Sequence, residues 1–233
     1  MQVIIQASRP FFRVCLFILC NLLIVSTSYA VDHEDLASER YVEISHFAQG
    51  DLSQWKEKTF NGNTDYQLMI NEDGKRVLRA SSEGSASGLF KEQRVDLQKT
   101  PYLNWSWKTN NLYQGLNEKK QSGDDFVARI YIVIDGGMFV WKTKALNYVW
   151  SSTYPVDSFW PNPYIDNATM FAVETGESNL GKWLNYKRNV RDDLQRVLGQ
   201  EVRYIDAIAV MTDSDSSGQK ALTYYGDIYF SPE

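Results

Sequence analysis

Apolar and polar residues alternate in short runs along most of this chain, and the runs stop at turn residues. In 126–134 the even positions Phe126, Ile130, Ile132 and Ile134 are strongly apolar while Arg129 stands on the odd ones, the period of two expected of a half-buried strand. Runs at 66–71, 77–82, 102–108, 145–151, 168–175, 203–212 and 224–230 are rich in β-branched or aromatic residues, so at least eight strands are predicted. The stretch from Ile205 to Met211 is apolar on both parities and is placed centrally. Asn61-Gly62-Asn63, Glu72-Asp73-Gly74, Asp135-Gly136-Gly137 and Ser216-Ser217-Gly218 mark turns. Helical spacing is convincing only where Val190, Leu194, Val197 and Leu198 share a face and Gly199 follows as a stop. One helix among many strands excludes an alternating βα sheet. The pattern predicts an all-β protein, an antiparallel β-sandwich of jelly-roll type with one short helix. A long connection, 151–166, has no strand period and holds Tyr154, Phe159, Trp160 and Tyr164 among Pro155, Pro161 and Pro163.

The first 30 residues break this pattern. Arg9 and Arg13 precede an apolar run, 14–25, interrupted by Asn21, and Ser28-Tyr29-Ala30 supplies small residues for cleavage, so 1–30 reads as an export signal. The run of about 12 residues falls short of the roughly 20 that cross a bilayer, and Leu19 before Cys20 does not fit a lipid-anchor motif. The expected organisation is a signal peptide (1–30), a solvated lead-in (31–40) carrying His33, Glu34, Asp35 and Glu39, and a single β-sandwich domain (41–233) in the periplasm or secreted. Both cysteines, Cys15 and Cys20, fall in the leader, which excludes disulfides and thiolate metal sites from the exported part. The leader has two arginines and no acid, so its removal takes the formal net charge from −5 to −7, which argues against nucleic acid and anionic membranes as partners. No stable membrane insertion is expected after cleavage.

Several local motifs together resemble a family of exported bacterial proteins known as a domain of unknown function. They are Gly50-Asp51-Leu52-Ser53-Gln54-Trp55, Gly84-Ser85-Ala86-Ser87-Gly88-Leu89, the stretch from Lys99 to Lys108, Gly123-Asp124-Asp125-Phe126-Val127-Ala128-Arg129-Ile130-Tyr131, Met211-Thr212-Asp213-Ser214-Asp215 and Tyr224-Tyr225-Gly226-Asp227-Ile228. The resemblance implies no activity. A separate architectural similarity is to sugar-binding jelly rolls, carried by Phe47 and Trp55 across a short loop and by the acidic, aromatic closing stretch from Tyr225 to Phe230.

Nucleophilic triads need an imidazole, and beyond the leader the chain offers only His33 and His46. The Gly84–Gly88 stretch has Ala86 where a hydrolase elbow needs serine and reads as a loop or bulge. No phosphate loop, dinucleotide fingerprint or zinc helix is present. Paired carboxylates remain: Asp124 and Asp125 precede a strand whose Arg129 is placed to steer them or a substrate. No cofactor is expected beyond a structural calcium, for which Asp213, Asp215 and Ser217 occupy loop positions one, three and five, Gly218 position six, and Asp227 would stand in for the absent glutamate. Trp105 and Trp107 share parity with Leu103 and are assigned to the core, and Lys187, Arg188 and Arg191 beside Asp192 and Asp193 to a solvated helix start.

The expected function is a non-catalytic binding module for a glycan or cell-envelope component. Trp160 and Tyr164 would stack on sugar rings, with Trp141 extending the platform and Asn162, Asp124, Asp125 and Arg129 supplying polar contacts. The alternative is a carboxylate-based glycoside hydrolase or polysaccharide lyase on the same β-sandwich.

Overall fold

The computed structural model describes residues 41–138 and 142–233. The expected signal peptide and lead-in, and Trp141, lie outside the described residues. In chain order the strands are β1 (Val42–Glu43), β2 (Lys56–Asn61), β3 (Asp65–Ile70), β4 (Arg76–Glu83), β5 (Ala86–Asp96), β6 (Tyr102–Thr109) and β7 (Arg129–Ile134). They continue with β8 (Lys144–Ser151), β9 (Phe159–Pro161), β10 (Ala168–Thr175), β11 (Leu184–Asn189), β12 (Tyr204–Met211), β13 (Lys220–Tyr225) and β14 (Tyr229–Ser231). The helix α1 (Val190–Leu198) follows β11 directly. One sheet runs β1-β14-β6-β13-β4-β3 with β11 added against β6, and the other runs β2-β5-β12-β7-β8-β10-β9. The fold is a β-sandwich of jelly-roll type with one α-helix among the described residues.

Alternation along the strands puts the core between the two layers. Leu103, Trp105 and Trp107 of β6 are buried on one parity, and Ile130 and Ile132 of β7 and Leu146, Tyr148 and Trp150 of β8 meet them from the other sheet. Trp105 stacks on Tyr148 with ring centroids 5.4 Å apart and on Tyr186 at 5.0 Å. Burying each such ring stabilises the fold by on the order of 2–3 kcal/mol. The run apolar on both parities, β12, does lie inside its sheet, between β5 and β7.

Three elements depart from the sequence reading. The Gly84–Gly88 stretch leads straight into β5, an eleven-residue strand. Glycine is there because a Cβ at Gly88 would stand 2.9 Å from the Phe90 ring and 3.3 Å from the Val210 carbonyl of β12. The 224–230 run splits into β13 and β14 at Gly226, where a Cβ would meet Ser106 Oγ at 2.2 Å. Most important, β10 pairs with β8 in parallel, an exception to the expected antiparallel pairing. A parallel pair needs a crossover of about a dozen residues or more, and the proline-rich connection is that crossover, with β9 pairing antiparallel to β10 on the way.

The crossover corrects the central expectation for Trp160. Its indole is only 3% exposed and packs with Phe126, Val149, Met170 and Ala172, with Tyr154 alongside, in a second apolar cluster separate from the main core. Nε1 donates to the Glu118 carbonyl at 3.2 Å. Val149, Met170 and Ala172 alternate with core residues of β8 and β10, so this cluster covers the outer face of the second sheet. No ring face of Trp160 is free to stack on a sugar.

The helix start is also less solvated than its charges imply. Asn189 caps it by accepting from the Asp192 amide, and Gly199 closes it with φ 67°, a left-handed value that glycine tolerates. Asp193 is buried, takes two bonds from Arg188 at 2.9 and 2.7 Å and accepts the Tyr148 hydroxyl at 2.7 Å.

Candidate functional site

The uncovered part of the same outer face forms a cavity of about 320 Å³. Register builds it: Arg129 of β7 pairs with Met211 and Val149, and Tyr131 pairs with Ala209 and Asn147, so Arg129, Tyr131, Asn147 and Met211 share one surface. The loop after the short 3₁₀ turn Gln121–Gly123 adds Asp124, the crossover adds Asn162, Tyr164 and Ile165, and the β12–β13 loop adds Asp213, Asp215 and Ser216. Because β7 begins only at Arg129, Asp124 and Asp125 are free of strand alternation, which is why both carboxyls turn toward the same region.

Arg129 is the pivot. It is buried, with Cζ 4.5 Å over the Phe126 ring. Its Nε donates to Asp213 Oδ1 at 2.7 Å, and Nη2 donates to Asp213 Oδ2 and, at 2.6 Å, to the Asp124 carbonyl. This forked geometry is the strongest form of carboxylate pairing. Burial works against the charge on Arg129, but Asp213, Tyr131 and Asp124 hold its pKa well above the usual arginine value. Burial is also the largest influence on Asp213 and pushes its carboxyl up to about 8, with Asp125 and Asp124 adding to the rise and Arg129 opposing it. Burial raises Asp124 as well.

Each residue expected to bind has a definite place. Asn162 Nδ2 donates to Asp124 Oδ2 at 2.9 Å, and its Oδ1 accepts the Tyr164 and Ile165 amides, so it shapes the crossover as well as lining the cavity. Asp125 is fully buried and accepts the Ser216 and Ser217 amides at 3.1 and 2.6 Å, which fixes the β12–β13 turn. Tyr164 is 56% exposed at the rim, its hydroxyl donating to the Gln121 carbonyl at 3.1 Å. The calcium set is rearranged: carboxylate oxygens of Asp125, Asp213 and Asp215 lie within 4.8 Å of one another. Ser217 Oγ instead accepts the Gln219 amide, and Asp227 accepts Ser45 Oγ and the Ala48 amide. A hard cation suits the oxygen trio, but it would have to share Asp213 with Arg129.

Among the described residues, two buried side-chain acceptors lack a hydrogen bond, Asp124 Oδ1 and Asn147 Oδ1. Arg129 Nη1 stands 3.8 Å from Asp124 Oδ1, beyond hydrogen-bonding distance. Next to them runs a row of rings that the sequence reading missed. Phe60 of β2, Phe90 of β5 and Tyr131 of β7 follow one another with centroid separations of 6.4 and 6.1 Å, and Phe60 is 54% exposed. The signal was available for Tyr131, which shares the odd parity of Arg129. A larger depression of about 770 Å³ lies around Tyr41, Ser45 and Tyr229, but its Asp227 is already engaged by Ser45 and Ala48. The smaller cavity is the better candidate because its acceptors are unmet.

Solved structures with a similar overall shape include the family 30 carbohydrate-binding module of a cellulosomal cellulase from Clostridium thermocellum, 13% identical with a TM-score of 0.48, covering 83% of this chain and 98% of that one. A family 11 carbohydrate-binding module from Clostridium thermocellum, in complex with a β-1,3-1,4-mixed-linked tetrasaccharide, is 10% identical with a TM-score of 0.45 and covers 82% and 95%. A variant of the Cel12A cellulase of Rhodothermus marinus is 9% identical with a TM-score of 0.44 and covers 80% and 99%. Scores this low say nothing about a ligand. No curated protein matches the sequence. The family described as "Protein of unknown function (DUF3047)" matches residues 53–229, and the chain belongs to that family.

Proposed function

We propose that this is an exported, non-catalytic glycan-binding protein whose site is the cavity on the outer face of the second sheet. The observation that carries the reading is one juxtaposition: a row of rings, Phe60–Phe90–Tyr131, beside a polar cavity whose buried acceptors Asp124 Oδ1 and Asn147 Oδ1 have no donor. Sugars offer both missing partners. Their C–H faces stack on rings, and their hydroxyls donate to oxygen. Tyr164, exposed in the lining of the same cavity, takes the role expected of Trp160. Export is supported by the basic, apolar and small-residue order of positions 1–30, and a periplasmic or secreted protein would meet envelope or environmental polysaccharides.

Titration calorimetry against soluble cello- and chito-oligosaccharides tests the reading. Binding should occur and weaken about tenfold, ~1.4 kcal/mol, in Tyr131→Ala; absence of heat with every oligosaccharide would sink it. A second reading, a glycoside hydrolase or polysaccharide lyase, is favoured by one observation, the Asp124 carboxyl buried in the cavity, whose acidity burial weakens in the direction a general acid needs. Release of reducing ends or unsaturated products on incubation with polysaccharide, lost in Asp124→Asn, would replace the binding-module reading with this one.

A further inference from the structure

We infer that the cavity selects saccharides carrying a free amino group, a selection that rests on the glycan-binding reading above. Three carboxyl groups, Asp124, Asp213 and Asp215, and one guanidinium, Arg129, line the cavity. The donors of Arg129 and Asn162 are consumed internally. Arg129 gives Nε and Nη2 to Asp213 and the Asp124 carbonyl and Nη1 to the Tyr131 hydroxyl at 3.4 Å, and Asn162 gives its amide nitrogen to Asp124.

What remains is acceptor capacity. Asp124 Oδ1 and Asn147 Oδ1 have no donor, and they belong to side chains that are 93% and 99% buried, where an unmet acceptor is most costly. An ammonium group supplies three donors on one atom. A uronic acid would bring further acceptors, and an N-acetylated sugar only one amide donor in place of three. A metal ion competes less well. Asp125 and Asp213 have both carboxylate oxygens engaged, by the Ser216 and Ser217 amides and by Arg129, and an ion would have to displace those donors.

Calorimetry on the protein with glucosamine tetrasaccharide, its fully N-acetylated counterpart and a galacturonate tetrasaccharide at pH 6.5 tests the selection. The glucosamine oligomer should bind at least about tenfold more tightly than the N-acetylated one, with galacturonate weakest, and the preference should shrink toward one in Asp124→Asn. Asp215→Asn, at a less buried position, gives the same readout should the first variant fail to fold. Equal affinity for the amino and N-acetylated oligomers overturns the selection while leaving glycan binding intact; silence toward all three overturns both. A rise in melting temperature with calcium chloride alone, accompanied by loss of the amino-sugar preference, assigns the acceptors to a metal and also overturns it.

Discussion

Trp160 and Tyr164 stand four residues apart on one crossover, and their exposures of 3% and 56% give them opposite work. Trp160→Ala should empty the cluster formed with Phe126, Val149 and Met170 and cost about 3–5 kcal/mol, read as a lower urea midpoint. Tyr164→Ala should leave that midpoint within about 0.5 kcal/mol and weaken oligosaccharide binding. Composition made the two residues look alike, because flanking prolines and neighbouring rings describe both a platform and a lid. Only the parallel return of β10 decides which face of the segment turns inward, and no local pattern encodes that pairing. Arg129 carries the largest single-residue consequence. Arg129→Met keeps much of the volume but leaves an ionised Asp213 buried without its partner above pH 8, and there a loss of about 3–5 kcal/mol should appear in the same measurement.

Elements were legible in proportion to how strictly they alternate. The core-facing parity of β6 and β7, and α1 with its Gly199 stop, match the pattern of the chain because one side of each faces a single apolar layer. Strand β2, Lys-Glu-Lys-Thr-Phe-Asn, is exposed at every position and lies at a sheet edge, so it carries charge where a buried strand carries an apolar side. That polarity hid Phe60, and with it one end of the ring row. The site loops were half legible: Asp124, Asp213 and Asp215 stood out as acidic clusters, but that Asp125 bonds the Ser216 and Ser217 amides across two separate loops is a tertiary fact. Asp125→Ala should therefore raise hydrogen exchange at those two amides before it alters exchange in β12, and unchanged protection there would contradict the assigned role.

At the scale of the molecule, the sandwich buries one face of each sheet against the other. The crossover covers part of the second sheet's outer face, and the remainder is the cavity. Concentrating carboxyls there has a stability signature. Asp213 is raised to about 8 and Asp124 is raised too, so the folded protein holds protons that the unfolded chain releases near pH 4. The stabilisation is fully present below the unfolded value and is lost as pH rises through the folded one. Stability at pH 8 should fall below that at pH 5 by at least about 1 kcal/mol, and Asp213→Asn should flatten the slope in urea titrations at the two pH values.

The central claim is that the outer face of the second sheet, and not the Tyr41–Tyr229 depression, receives the ligand. Amide and side-chain NMR shifts recorded during titration with chito-oligosaccharides test it most directly. Saturable changes are expected at Phe60, Phe90, Tyr131, Asn147 and Tyr164. Saturable changes confined to Tyr41, Ser45 and Tyr229, with the ring row silent, would contradict it.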